Sequence, residues 1–252
     1  MSAEADRDRR TNTAPGRDPR RRTDRTNADA EAGAGRRDRL VRPLLLAFLV
    51  ACAVDLIGVL AGIELAHQIA KPLLMPLLAG YALARRGPRL LVAALLFGWG
   101  GDTFLLLESD AAFLVGMGSF AVGHVCYLWL FGRAHSSPVA ALGYAVALTV
   151  FVALLWNGLP ADLRVPMAGY SMLLTAMACR AGALGTRAAV GGGLFLLSDG
   201  LIATGIADWP QLPAPDFWVM LTYLAAQYLL TTGALAPAPE RAGRTTADGP
   251  RG

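Results

Sequence analysis

Eight apolar runs separated by short charged gaps restrict what this sequence can fold into. The runs are Leu40–Ile63, Ile69–Ala84, Leu90–Leu107, Ala111–Phe131, Val139–Trp156, Val165–Cys179, Ala188–Ile206 and Phe217–Leu235. Each has roughly 15 to 24 residues, and a helix of that length rises far enough to cross a hydrocarbon core of about 30 Å, the shortest runs barely. We therefore predict an all-α fold, a polytopic membrane bundle of about eight transmembrane helices.

The amino-acid composition agrees with a membrane location. Of the 252 residues, 54% are hydrophobic and only 17% are charged, whereas a soluble domain has about 25% charged residues. The charges concentrate at the chain ends and in the gaps, which is how membrane proteins confine charge to loops. The net charge of +4 thus indicates contact with lipid headgroups. We expect the bilayer and a membrane lipid as partners, and no nucleic acid.

The sign of the charge alternates from gap to gap. The gaps after the second, fourth and sixth runs carry Arg85, Arg86, Arg89, Arg133, Arg180 and Arg187. The other gaps are mainly acidic and carry Glu64, Glu108, Asp110, Asp162, Asp208 and Asp216. Under the positive-inside rule, this alternation predicts that both termini are cytoplasmic. The abundance of Arg, Ala and Gly is typical of a GC-rich bacterial genome, so we expect a multi-pass protein of the cell (plasma) membrane.

The two ends of the chain differ from the apolar part. Residues 1–38 contain almost no large apolar side chains, so this segment buries too little surface to offset the entropy of ordering. We predict a disordered basic tail at 1–38, an eight-helix transmembrane domain at 39–236 and a disordered tail at 237–252. The cleavage-box pattern at Leu49–Cys52 is weak because the apolar run continues past it. The first run is therefore predicted to be an uncleaved membrane helix.

Asp102 stands out because it lies inside the apolar stretch Phe97–Leu107. An ionised carboxylate in hydrocarbon costs several kcal/mol unless a partner or cavity water receives it. Asp102 and Asp199 each lie about 12 residues into an outward-going helix, which places both near the midplane. His124 lies at a similar depth. Lys71, the one lysine of the chain, lies about a turn from the outer end of its helix, where its long side chain reaches headgroups or a cavity.

Two further pairs of polar residues each share a helix face. His124 and Tyr127 are three residues apart, and Tyr223 and Gln227 are four apart, spacings that bring side chains together on one face. Structural hydrogen bonds between helices are the alternative explanation for both pairs. Two midplane aspartates on different helices indicate function more strongly.

The two aspartates suit acid–base chemistry. Two carboxylates held close in a low dielectric do not both ionise readily, so one can act as an acid beside a base that activates water. A hydrolase whose lipid substrate enters sideways from the bilayer could use this pair. The sequence has no GxSxG motif and no HExxH motif, so we predict neither a nucleophilic serine nor a metal site. The competing class is a proton- or ion-coupled transporter, since a proton relay uses the same residue types.

Short motifs on successive helices resemble the YhhN-like family. They are Lys71-Pro72, Gly101-Asp102, Gly123-His124 with Tyr127, Ser198-Asp199, and Tyr223 with Gln227. The resemblance covers about Leu40 to Leu235. Animal members of the family are lysoplasmalogenases, which are membrane enzymes with eight helices.

The resemblance implies hydrolysis of the vinyl ether bond of a lysoplasmalogen, which gives a fatty aldehyde and a glycerophospho-ethanolamine or -choline. This reaction needs an acid to protonate carbon and a base to activate water, and we predict that Asp102 and Asp199 supply them. Lys71 would pair with the lipid phosphate. Four other side chains would orient substrate and water without a cofactor: His124, Tyr127, Tyr223 and Gln227.

Overall fold

The structure of the chain, a computed structural model, describes residues 19–107, 109–132 and 137–236, with side chains from residue 38 onwards. This part of the chain contains eight α-helices and no strand. The helices are α1 Pro19–Ala61, α2 Glu64–Ala84, α3 Arg89–Leu105, α4 Asp110–Phe131, α5 Pro138–Leu155, α6 Arg164–Ala181, α7 Thr186–Ile206 and α8 Pro215–Ala234. A single 3-10 turn at Gly182–Leu184 joins α6 to α7. The predicted all-α fold is confirmed, with one helix for each apolar run.

The chain divides into two units, Met1–Arg39 and Leu40–Gly252, and the helical bundle belongs to the second. Helix α1 begins at Pro19, inside the segment predicted as a tail. Residues 1–18 and the predicted tail at 237–252 lie outside the described residues. The division into a disordered tail, a transmembrane domain and a second tail stays a prediction.

Within the described residues, four helices are long and apolar enough to cross a membrane: α1 from Asp38 onwards, α4, α5 and α7. Their outward faces carry large apolar side chains, as on α5, where Val139 is 78% exposed and Leu142 is 66% exposed. In water, so continuous an apolar surface would drive association. In contact with lipid chains, an exposed apolar surface carries no free-energy penalty, so the fold is that of a membrane protein.

Local sequence explains where several helices begin and end. The Ser109 side chain accepts a hydrogen bond from the Ala112 amide at 3.2 Å and so caps the start of α4. Pro138 and Pro215 open α5 and α8, where a missing amide hydrogen is harmless. Helix α4 stops at Gly132, whose φ of 66° is easily reached only without a side chain.

The helices pack as neighbours along the chain, with α3 against α4 and α7 against α8 as the largest contacts. Helix α4 also contacts α6 and so connects the first helices to the last ones, whereas α5 packs mainly on α6 and buries only Leu155. Small residues allow close contact between α7 and α8. A Cβ on Gly191 would lie 2.9 Å from the Leu230 amide nitrogen and 3.0 Å from the Ala226 carbonyl oxygen.

This contact leads to a prediction about two glycines on one helix. We expect Gly191→Ala to force α7 and α8 apart and to destabilise the protein by about 1–3 kcal/mol, the usual cost of overpacking. Gly193→Ala is the matched control, since a Cβ at Gly193 would meet nothing within 4 Å. Thermal unfolding in detergent should show a lower Tm for Gly191→Ala alone. Equal Tm values for the two variants would contradict the close contact.

Candidate active site

Asp102 ends a chain of three hydrogen bonds that runs across the bundle. The carboxyl is 2% exposed, and its Oδ2 accepts a hydrogen bond from the Tyr223 hydroxyl at 2.7 Å. The Gln227 amide nitrogen donates to the Tyr223 oxygen at 3.3 Å, and the Tyr127 hydroxyl donates to the Gln227 amide oxygen at 2.8 Å. Every donor in this chain points towards the carboxylate, so helices α4 and α8 together hold one side chain of α3.

Asp199 ends a second, shorter chain. Its Oδ2 accepts a hydrogen bond from the Tyr170 hydroxyl, and the Tyr170 oxygen lies 3.1 Å from Nε2 of His124. Because the one hydroxyl proton of Tyr170 goes to Asp199, His124 must donate from Nε2. Its other ring nitrogen, Nδ1, is buried and has no hydrogen-bond partner among the described residues. His124 thus donates through Nε2 and leaves Nδ1 without a partner in the described part of the chain.

Both hydrogen-bond chains include a residue of α4, and aromatic rings lie between them. His124 and Tyr127 lie one turn apart on α4, yet each serves a different carboxylate. Between them the Phe195 ring packs edge-on against His124, with ring centres 4.8 Å apart, and against Tyr223 at 5.5 Å. Phe120 packs edge-on against Tyr223 in the same way. The two aspartates are not hydrogen-bonded to each other, but they are close enough for their charges to interact.

Two glycines of α3 make room for the first chain. A Cβ on Gly98 would lie 3.3 Å from the Gln227 amide nitrogen and 3.5 Å from the Tyr223 hydroxyl oxygen. A Cβ on Gly101 would overlap the Phe120 ring. Gly98 and Gly101 thus let α8 and α4 approach α3 beside Asp102.

A cavity of about 420 Å³ lies beside Asp199 and Tyr170. Its wall is mainly apolar and includes Phe113, Met117, Leu148, Phe151, Leu174 and Leu196 from four helices. Of the described residues, Asp199 is the one carboxyl on this wall, and Asp102 does not line it. A large apolar pocket with few converging polar groups is the usual form of a small-molecule site.

The positions of the predicted site residues differ from the expectation in two respects. Asp102 lies three residues before the end of α3, whereas Asp199 lies seven residues before the end of α7, so Asp102 is closer to its helix end than the sequence depth suggested. Lys71 lies seven residues from the start of α2, about two helical turns and not one, and it makes no hydrogen bond with a described residue. It is half-buried on α2, near enough to Asp102 for their charges to interact.

Sequence reasoning missed Tyr170, which bridges Asp199 and His124. In sequence, Tyr170 resembles Tyr144 of the preceding run, and both are single tyrosines in apolar surroundings. Only the packing of α6 between α4 and α7 distinguishes it. Among the described residues, no three His, Cys, Asp or Glu side chains converge as metal ligands.

The apolar helices and the buried polar residues beside an apolar cavity define a multi-pass membrane protein with an internal polar site. The family model named the YhhN family matches residues 66–234, which is most of the described bundle. The chain belongs to the YhhN family.

Curated relatives include lysoplasmalogenases from animals and bacteria. Lysoplasmalogenase TMEM86B of Homo sapiens is 38% identical over 153 residues, which is 60% of this chain and 66% of the human protein. The Rattus norvegicus protein of the same name is 33% identical over 77% of this chain and 85% of its own length. A lysoplasmalogenase of Mycobacterium bovis is 31% identical over 69% of this chain and 72% of its own length. No solved structure matches the chain.

The first hydrogen-bond chain is testable by a double-mutant cycle. We expect Tyr127→Phe to cost about 1–3 kcal/mol of unfolding free energy, because it leaves the buried Gln227 amide oxygen without a donor. After Gln227→Leu, the same tyrosine change should cost clearly less, since no acceptor remains to be orphaned. Unfolding in mixed detergent micelles measures both. Strictly additive costs would contradict the Tyr127–Gln227 bond.

Proposed function

We propose that this protein hydrolyses the vinyl ether bond of lysoplasmalogens, or of a closely related lyso-ether lipid, to a fatty aldehyde and a glycerophospho-base. The observation that carries the proposal is the apolar cavity with one carboxyl, Asp199, on its wall. Such a cavity accepts an alkenyl chain and brings an acid–base group to the reactive end of that chain. The lysoplasmalogenase names of the relatives supply the reaction.

The reaction needs one proton and one water. Protonation of the vinyl ether at its β-carbon converts the C=C–O unit to an oxocarbenium ion. A water molecule loses a proton to a base and adds to the cationic carbon, which gives a hemiacetal. The hemiacetal then breaks its C–O bond to glycerol. The protonated base gives its proton to the leaving glycerol oxygen, and the hemiacetal hydroxyl gives its proton to the ionised acid, so that aldehyde and alcohol leave and both groups return to their starting states. A carboxylic acid and a carboxylate, one for each proton transfer, meet this need.

Asp199 and Asp102 are the proposed acid–base pair. Asp199 reaches the substrate directly from the cavity wall. Asp102 does not line the cavity, so its proton transfer with the substrate runs through a bridging water. Its negative charge stabilises the oxocarbenium ion, and Tyr223 holds the carboxyl in place. An aromatic partition that keeps the carboxylates apart prevents them from sharing a single proton.

The other predicted residues have supporting roles in this proposal. Tyr127, Gln227 and Tyr223 orient Asp102, and His124 orients Asp199 through Tyr170. The bare Nδ1 of His124 is an acceptor for the attacking water. Lys71 binds the phosphate of the substrate, since it lies near Asp102 and is half-buried. No cofactor takes part in these steps.

We further propose that all eight helices cross the membrane, with both termini in the cytoplasm and the plasma membrane as the location. The exposed arginines support this orientation. Arg85 and Arg86 lie between α2 and α3, and Arg89 begins α3. Arg180 donates a hydrogen bond to the Gly132 carbonyl at 2.8 Å, which brings the C-terminal ends of α4 and α6 together. The relatives do not favour the transporter alternative.

The acid–base pair predicts the effect of two isosteric changes. Asp102→Asn and Asp199→Asn each keep an oxygen that accepts the tyrosine hydrogen bond but remove the exchangeable proton and the charge. We expect each to lower kcat for lysoplasmalogen hydrolysis at least about a hundredfold, the lower range of acid–base catalysis. Aldehyde release by purified protein in proteoliposomes is the measurement.

The control for this pair is Asp208→Asn. Asp208 is an exposed loop residue with φ of 54°, a conformation that asparagine tolerates, so its rate should equal that of the wild type. A wild-type rate in either Asp102→Asn or Asp199→Asn would end the two-carboxylate proposal.

The cavity predicts which residue limits chain length. Ser171 of α6 lines the cavity, whereas its neighbour Met172 is 63% exposed. Ser171→Phe should fill part of the cavity and lower kcat/KM for an 18-carbon alkenyl chain at least about tenfold more than for a 10-carbon chain, since each buried methylene contributes about 0.8 kcal/mol. Met172→Phe adds the same ring outside the cavity and should leave the ratio unchanged. An equal fall in kcat/KM for both substrates would show that the alkenyl chain binds elsewhere.

A further inference from the structure

A second polar cluster lies at the joint of α1 and α2, where the sequence indicated no site. Asp55 of α1 is fully buried, and its Oδ1 lies 2.9 Å from Nδ1 of His67 on α2. This is the one ion pair found among the described residues. Gly58 allows the close approach, since a Cβ there would lie 2.9 Å from the Ala66 Cβ and 3.3 Å from the His67 amide nitrogen.

The Asp55–His67 pair is electrostatically incomplete. Oδ2 of Asp55 is buried and has no hydrogen-bond partner in the described part of the chain. A buried carboxylate with a single donor is costly unless it faces a full positive charge. The pair is therefore complete when the His67 ring carries both protons, one directed to Asp55 on Nδ1 and one on Nε2. The ring is 21% exposed, so a ligand can reach it.

His67 and Lys71 lie four residues apart on α2, so their side chains share one helix face. Both are near enough to Asp102 for their charges to interact with its carboxyl. His67 is three residues and Lys71 seven residues from the start of α2, while Asp102 is three residues from the end of α3. Because α2 and α3 are consecutive packed helices, these ends lie together. All three residues thus lie within about 11 Å of the same end of the bundle along the helix axes.

We propose that His67, held by Asp55, forms with Lys71 a two-cation binding site for the phosphate of a lysophospholipid headgroup. This proposal rests on the proposed function, because the phosphate belongs to the substrate named there. Nε2 of His67 donates one hydrogen bond to a phosphate oxygen and the Lys71 ammonium donates another. Asp55 does not touch the lipid; it is a positioning residue that orients the ring and balances its charge.

A simple structural role for the pair is the competing explanation. Asp55 and His67 join α1 to α2, so the bond could serve only to close that hairpin. The two explanations differ in which ligands they affect. If the bond only closes the hairpin, its loss should affect the binding of every lipid equally. If it supports a phosphate site, its loss should affect the binding of only those lipids that carry phosphate.

The test measures binding to the full-length protein in detergent, without hydrolysis. The two ligands are a 1-O-alkyl-glycerophosphoethanolamine, whose saturated ether is not a vinyl ether, and the 1-O-alkylglycerol that lacks the phosphate. Tryptophan fluorescence gives the Kd of each at a fixed ratio of lipid to detergent. We expect His67→Gln and Lys71→Gln each to weaken binding of the phospholipid about tenfold, as for loss of one charge-assisted hydrogen bond. Binding of the alkylglycerol should stay within about twofold of the wild type.

Asp55→Asn gives a test with a definite sign. If Asp55 supports the charge on His67, the Asp55→Asn change weakens phospholipid binding. If Asp55 acts only as a negative charge near the phosphate, its loss tightens binding, and the proposal fails. Gln68→Ala is the control, because Gln68 is the exposed neighbour of His67 and bonds only to Glu64 on the surface; it should bind both ligands normally.

Three further results would overturn the phosphate site. They are unchanged phospholipid binding by His67→Gln, equal weakening of both ligands, and displacement of the phospholipid by micromolar inorganic phosphate, which would assign the site to the free ion. The proposed hydrolysis is judged separately by aldehyde release. A protein that shows His67-dependent phospholipid binding but releases no aldehyde would retain the headgroup site and refute the hydrolase.

Discussion

Two carboxylates lie inside a bundle whose outer surface faces lipid, and each receives a hydrogen bond from a tyrosine hydroxyl. Tyr223 donates to Asp102 and Tyr170 donates to Asp199. An ionised carboxylate left without a partner inside the bundle would cost several kcal/mol. The packing of α8 on α3 and of α6 on α7 is what positions these hydroxyls. The same two tyrosine–aspartate hydrogen bonds thus hold the helices in their arrangement and stabilise the two carboxylates.

Aromatic side chains beside these hydrogen bonds also divide the site into two compartments. Phe120 and Phe195 pack edge-on against Tyr223 and so lie between the two hydrogen-bond chains. On one side, Asp199 lines the apolar cavity. On the other, Asp102 lies near the end of α3, with Lys71 close enough for their charges to interact. An amphiphile with a single chain has the same division into an apolar tail and a charged head. The proposed substrate would span both compartments, with its ether group at the partition.

Much of the site could be predicted because its residues break the apolar pattern of their helices. A carboxylate or a histidine in a hydrophobic run is rare and costly, so Asp102, Asp199 and His124 are visible in sequence. Tyr170 and His67 were missed for the opposite reason. A tyrosine is common in apolar helices, and His67 lies in the first turn of α2, next to a loop, where polar residues are ordinary. Their partners, Asp199 and Asp55, lie 29 and 12 residues away, so no local pattern connects them.

The sequence by itself determined that the chain forms eight helices, since runs of apolar residues bounded by charges can satisfy their backbone in lipid only as helices. It also determined which residues are chemically exceptional. The tertiary structure alone decided that Asp102 and Asp199 belong to different hydrogen-bond chains, that His124 and Tyr127 serve different carboxylates although they are neighbours on α4, and that only Asp199 reaches the cavity. The physical reason is that pairing between helices depends on their rotation and closeness. Those are set by the packing of small residues such as Gly98 and Gly191 against distant side chains, which no single helix specifies.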